Sequence, residues 1–116
     1  MKEKTISDRV VEYVLTVPDH EFAELTAAVL AHSFCMDRTK LSRHFKRGVH
    51  ITLEDFLIRE KMTRAAFLLK AQERITVEEV SKKIGYSTAD YFIRKFKSYY
   101  GIAPGKYREY KQGRSK

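Results

Sequence analysis

The feature that most constrains this chain is a repeat. Leu30-Ala31 followed by Cys35-Met36 returns as Val80-Ser81 followed by Gly85-Tyr86. Leu41-Ser42-Arg43-His44-Phe45-Lys46 returns as Phe92-Ile93-Arg94-Lys95-Phe96-Lys97, with one extra residue in the turn of the second copy. Apolar residues in both copies recur at i, i+3 and i+4 and never alternate cleanly, so each copy reads as a short helix, a tight turn and a second helix. The chain is therefore expected to be all-α, with seven helices arranged as two helix-turn-helix subdomains joined by a long linking helix. Within one domain of residues 1–116, the first unit covers 6–50, the link 52–72, the second unit 76–110 and a polar tail 111–116.

Capping chemistry sets the expected boundaries. A first helix over residues 7–16 carries Val10, Val11, Val14 and Leu15 as its buried stripe and ends at Pro18, and residues 19–25 read as a connector. Thr26 caps a second helix reaching Ser33, with Leu25 and Leu30 placed as a hydrophobic staple. Phe34, Cys35 and Met36 form a turn, Asp37 caps a third helix over 38–47, and Gly48 helps to stop it. Thr52 opens the linking helix over 53–71, whose Ile58, Met62, Ala65 and Leu69 share one face. Thr76 with Glu79 makes a capping box for 77–84, Gly85 supplies a left-handed cap, and Ser87 caps a helix over 88–100. Gly101 ends that helix, and Pro104 sits in the first turn of a last helix toward Tyr110.

The second helix of each unit divides into two faces. Leu41, His44 and Phe45 lie on one side of the first copy, and Phe92, Phe96 and Tyr99 on one side of the second. The opposite faces hold Thr39, Ser42, Arg43 and Lys46, and Asp90, Ile93, Arg94 and Lys97, at equivalent repeat positions. Such faces suit a DNA major groove. Arg43 and Arg94 can each present a guanidinium fork to guanine O6 and N7, and Thr39 and Ser42 can exchange hydrogen bonds with base edges. Asp90, three residues after Ser87, can either cap its own helix or accept from cytosine N4, and Ile93 can either pack against a neighbouring helix or touch a thymine methyl. Arg38, Lys46, Arg47, Lys97 and Lys106 read as phosphate contacts, and the helix starts at Thr52 and Pro104 offer free N–H groups to phosphate. A linking helix of about nineteen residues is about 28 Å long, near the 34 Å that separates successive major grooves on one side of B-DNA.

Charge agrees with this chemistry. The formal net charge is +8 and the pI about 9.6, a balance that favours polyanions. No apolar run approaches the length of a membrane span, and no signal peptide is visible at Met1. Cys35 is the one cysteine, so neither an intrachain disulfide nor a thiolate zinc cluster can form, and a reducing cytoplasm, at the nucleoid, is the expected location. His20, His32, His44 and His50 lack metal-ligand spacing, Cys35 has no evident base partner, and Ser42 and His44 point in different directions. Neither catalysis nor a metal or other cofactor is expected.

In these motifs the chain resembles the DNA-binding domain of the AraC/XylS family of bacterial transcription regulators. The likeness runs from about Ile6 to Arg108. Beyond the repeat it includes Phe56, Lys61-Met62-Thr63-Arg64-Ala65, Leu68-Leu69, Ile84-Gly85-Tyr86-Ser87, Tyr91-Phe92, Gly101-Ile102-Ala103-Pro104 and Tyr107-Arg108. The resemblance implies seven helices, contact with double-stranded DNA through both units of one chain, and base-reading positions at Thr39, Ser42, Arg43, Ala89, Asp90, Ile93 and Arg94. It also implies that such domains often sit at the C-terminus of larger regulators, behind a small-molecule sensor or a receiver domain, and act with RNA polymerase. Cys35 and His50 stand where glycine is usual in the family or the other repeat, and Lys61 where arginine is usual. Because the reading residues differ between the copies, the expected site is asymmetric. A competing reading is a basic protein-interaction module that docks an acidic partner, such as a receiver domain or polymerase subunit; steep salt dependence and preference among duplexes would favour DNA.

Overall fold

A computed structural model describes residues 4–71 and 74–111, and among these it contains helices and no strands. The helices are α1 (Ile6–Thr16), α2 (Asp19–Phe22), α3 (Ala27–Ser33), α4 (Arg38–Val49), α5 (Leu53–Ala71), α6 (Val77–Lys83), α7 (Ala89–Tyr100) and α8 (Pro104–Lys111). The all-α expectation holds, but the count rises from seven to eight because the connector at 19–25 contains α2. Pro18 enters this turn with φ −68°, and Phe22 N–H bonds back to Pro18 O at 2.9 Å. Phe22 is completely buried, and that anchor holds four residues helical that show no periodicity of their own. The tail expected from residue 111 is helical at Lys111, and its remainder, 112–116, lies outside the described residues. The chain divides into two compact units, Met1–Glu60 and Lys61–Lys116, with the boundary inside α5.

In the first unit, Thr5 and Asp8 form a reciprocal capping box that starts α1. Val10, Val14, Phe22, Leu30, Leu41, Phe45 and Leu53 are fully enclosed. The α1 stripe differs from the expected one. Ser7 belongs to it, whereas Leu15 is 51% exposed. Ser7 Oγ donates to His44 O at 3.0 Å and ties α1 to α4. Gly48 does not stop α4, which continues to Val49 and closes at His50. Its role is close approach: a Cβ at position 48 would lie 2.8 Å from Ser7 Oγ and 3.0 Å from Ser7 Cβ. Phe45 and Phe56 rings meet at 5.3 Å.

In the second unit, Met62, Ala65 and Leu69 of α5, Val80 of α6, Ile84 at its end, and Phe92 and Phe96 of α7 are fully enclosed, while Ile58 in the first-unit part of α5 is half-buried. Phe96 and Tyr107 rings meet at 5.3 Å, the counterpart of the Phe45–Phe56 pair at the same repeat spacing. Tyr100 rather than Tyr99 takes the inner position. Its ring lies 4.7 Å from Phe96 and its hydroxyl donates to Met62 O, whereas Tyr99 is 45% exposed. Arg108 Nε donates to Leu69 O at 3.3 Å and Arg108 Nη2 donates to Ile75 O, which satisfies carbonyls near the end of α5 and in the following loop. Among the described residues no helix is long and apolar enough to cross a membrane, and no cluster of histidine, cysteine or carboxylate could hold a metal ion.

Candidate nucleic-acid interface

Both units build the same turn. In the first, Met36 N–H bonds to Ala31 O at 2.9 Å and Cys35 N–H to His32 O at 3.1 Å. In the second, Tyr86 N–H bonds to Ser81 O at 3.0 Å and Gly85 N–H to Lys82 O at 3.1 Å. These are the paired bonds of a Schellman ending, which demands a left-handed residue after the helix. Gly85 meets that demand with φ 101° and Cys35 with φ 54°. Asp37 then caps α4 by accepting from Thr39 N–H and Lys40 N–H. On α7 the cap is Thr88, not Ser87: its hydroxyl accepts from Tyr91 N–H at 3.2 Å. Ser81, which is buried, donates to Thr88 O at 3.2 Å and fixes the one-residue-longer turn against α6.

Helices α4 and α7 are each twelve residues long, and each ends in a left-handed cap, His50 with φ 75° and Gly101 with φ 86°. Leu41 and Phe45 anchor α4 as Phe92 and Phe96 anchor α7, so the opposite faces turn outward in register. Thr39, Arg43, Asp90 and Arg94 are exposed; Ser42, Ala89 and Ile93 are half-buried. His44, assigned from spacing to the inner face, is exposed, and its backbone carbonyl accepts from Ser7 Oγ. Asp90 is not the reciprocal partner of the α7 cap, which leaves its carboxylate in the first turn of the outward face.

Among the expected phosphate contacts, Arg38, Lys46, Arg47, Lys97 and Lys106 are all exposed. Arg38 lies 3.8 Å from Glu54 in a solvent-exposed pair. Thr52 is half-buried, and its hydroxyl accepts from Asp55 N–H at 3.0 Å as the α5 cap. The two helix starts differ in charge. Glu54 and Asp55 occupy the first turn of α5, which opposes an anion there, whereas the first turn of α8 has no acidic residue and carries Lys106.

Tyr91 escaped the sequence reading. It is 45% exposed, and Arg94 and Lys95 lie 5.9 and 5.8 Å from its ring centroid, so the Arg94 guanidinium rests beside an aromatic face. The i, i+3 spacing of Tyr91 and Arg94 was its sequence signal. Behind this face, Lys61 Nζ sits 4.8 Å over the Tyr86 ring. Burial and then the charge of Lys95 push the Lys61 ammonium below its ordinary range, while burial and then Tyr91 push the Tyr86 phenol up to about 12.

Two helix-turn-helix units, each holding an outward, cation-bearing second helix behind a shared turn, define a DNA-binding protein. A family model described as a helix-turn-helix domain matches residues 30–110. The chain belongs to this family and is a DNA-binding domain of the AraC/XylS type of transcription regulator, not an enzyme. The HTH-type transcriptional regulator YtdP of Bacillus subtilis is 31% identical over 94% of this chain, which corresponds to 14% of YtdP. The C-terminal domain of AraT, a response regulator from Geobacillus stearothermophilus, is 26% identical with a TM-score of 0.82, covering 95% of this chain and 88% of that one. The DNA-binding domain of AdpA, solved in complex with a target DNA, shares the fold at a TM-score of 0.81 and 20% identity over 96% of both chains. The chain spans well under half the length of the curated relatives it matches.

Proposed function

We propose that the chain reads an asymmetric double-stranded site, with α4 and α7 entering adjacent major grooves, and controls transcription from there. The observation that carries this reading is the equivalence of Arg43 and Arg94: both are exposed, at the same position of two twelve-residue helices set behind matching turns. Residues 6–50 and 76–110 are the reading units and 52–72 the link; α5, nineteen residues long, spans about 28 Å. Thr39, Ser42 and Arg43 face bases on one side, and Ala89, Asp90, Ile93 and Arg94 on the other. Arg38, Lys46, Arg47, Thr52, Lys97 and Lys106 hold phosphates, with α8 the stronger of the two helix starts. In a longer cytoplasmic regulator, a sensor or receiver domain would supply the signal and RNA polymerase would be the target.

Selection of random duplex DNA by the purified chain at moderate salt tests the reading. Two enriched blocks of different sequence about one helical turn apart are expected; no enrichment would overturn it. On the selected duplex, Arg43→Ala and Arg94→Ala should each weaken binding by about 1–3 kcal/mol and relax preference at one position. Equal losses on selected and random DNA would remove these arginines from base reading.

A further inference from the structure

The two units share a backbone pattern but not a charge. Met1–Glu60 holds nine Lys and Arg against ten Asp and Glu, a net of −1; Lys61–Lys116 holds fourteen against five, a net of +9. Five of the nine first-unit cations, Arg38, Lys40, Arg43, Lys46 and Arg47, lie on α4 itself, so the rest of that unit is acidic. The excess in the second unit is not confined to α7. Arg74, Lys82 and Lys83 are exposed around a cavity of about 440 Å³ beside α6, lined also by Ile75 and Glu79. The Glu79 carboxylate accepts from Thr76 N–H at 2.8 Å as part of the α6 capping box.

The repeat supplies an internal control for this cluster. Aligning the caps Thr26 and Thr76 sets Glu24 against Arg74, Val29 against Glu79, and His32 and Ser33 against Lys82 and Lys83. The shared scaffold therefore does not require cations there. Lys82 and Lys83 also stand in the last turn of α6, where the helix dipole favours cations. That effect does not extend to Arg74, which precedes the helix. In a helix-turn-helix unit the first helix crosses the DNA backbone, which puts α6 where phosphate binding is useful.

Resting on the DNA-reading function above, we propose that the second unit is the electrostatic anchor of the domain, and that Arg74, Lys82 and Lys83 form a phosphate-binding site beside α6 with no counterpart in the first unit. The second unit supplies most of the sequence-independent affinity, and the first adds selectivity once the chain is held.

The test uses the whole chain and a random duplex, with affinity measured by fluorescence anisotropy across potassium chloride concentrations. Replacing Arg74, Lys82 and Lys83 together by Gln should flatten the slope of log affinity against log salt by about two to three, since each neutralised phosphate contributes about 0.9. A matched triple in the first unit, Lys4→Gln, Arg9→Gln and Arg59→Gln, removes equal charge away from α4 and should change the slope by less than about one. An unchanged slope in the α6 triple overturns the site. Equal flattening in both triples also overturns it, because the chain would then be sensing only summed charge. Circular dichroism confirms folding of both variants. The ratio of selected to random affinity should stay near that of the parent, so base reading can survive a negative slope result and fail independently of it.

Discussion

Gly48→Ala separates two physical effects of opposite sign. Inside a helix, alanine is favoured over glycine by up to about 1 kcal/mol. At position 48, however, the added methyl would sit 2.8 Å from Ser7 Oγ and 3.0 Å from Ser7 Cβ. Ser7 Oγ can rotate away only by giving up its 3.0 Å bond to His44 O, which leaves a buried hydroxyl unpaired at a cost of about 1–3 kcal/mol. Ser7 Cβ is fixed to α1, so relief of the second contact requires α1 to move off α4, an overpacking cost of about 1–3 kcal/mol. The two routes are alternatives in part, and after the propensity gain a net loss of about 1–2 kcal/mol is expected. Urea unfolding followed by helical circular dichroism measures it. Gly105→Ala is the control: it lies in α8, a Cβ there meets nothing within 4 Å, and the change should stabilise by up to about 1 kcal/mol. Adding Ser7→Gly should make Gly48→Ala less damaging, with a coupling of at least about 1 kcal/mol. If Gly48→Ala is as stable as the parent, the close-approach explanation is wrong.

Other substitutions test separate parts of the structure. Lys46→Ala should weaken binding to all duplexes alike and flatten the salt slope by about one, as titration on selected and random DNA would show. Arg108→Ala should destabilise the second unit by about 1–3 kcal/mol because the carbonyls of Leu69 and Ile75 lose their donor; Arg108→Lys should not restore it, since an ammonium lacks the planar fork, and urea unfolding is again the measurement. The raised pKa of Tyr86 means the folded state holds the phenolic proton more tightly than the unfolded chain, so its stabilising contribution is complete below about pH 10 and is lost toward about 12. Tyr86→Phe should therefore lessen the alkaline loss of stability in that window when unfolding is followed as a function of pH.

The elements that the sequence made legible are those with local causes. The bounds of α5 follow from Thr52 and a long apolar face, the start of α6 from the Thr76–Glu79 box, and the ends of α6 and α7 from Gly85 and Gly101. What was missed has causes elsewhere in the chain. The four residues of α2 depend on burial of Phe22, and the interior role of Gly48 depends on Ser7, forty-one residues away. Spacing along α7 cannot choose between adjacent tyrosines; Tyr107 of α8 does, with its ring 5.4 Å from Tyr100. The outward faces were legible because Leu41 and Phe45, and Phe92 and Phe96, fix the rotation of both helices from within. The α6 cluster was not, since its cations become a cluster only when the loop carrying Arg74 folds against α6.

The left-handed positions sharpen the difference between the units. Each unit requires two of them, and the second fills both with glycine while the first uses Cys35 and His50. A side chain in that conformation costs about 1–2 kcal/mol, so the first unit reaches the same backbone at greater expense of stability. It does so because the turn is held by its hydrogen bonds, Met36 to Ala31 and Cys35 to His32, and not by glycine itself. Shape is therefore the shared property of the repeat and side-chain chemistry the divergent one. Of the four outward pairs, Arg43 with Arg94 and Lys46 with Lys97 match, while Thr39 with Asp90 and Ser42 with Ile93 do not. The proposed asymmetric site rests on this divergence: faces that differ in their hydrogen-bonding groups are expected to favour different half-sites.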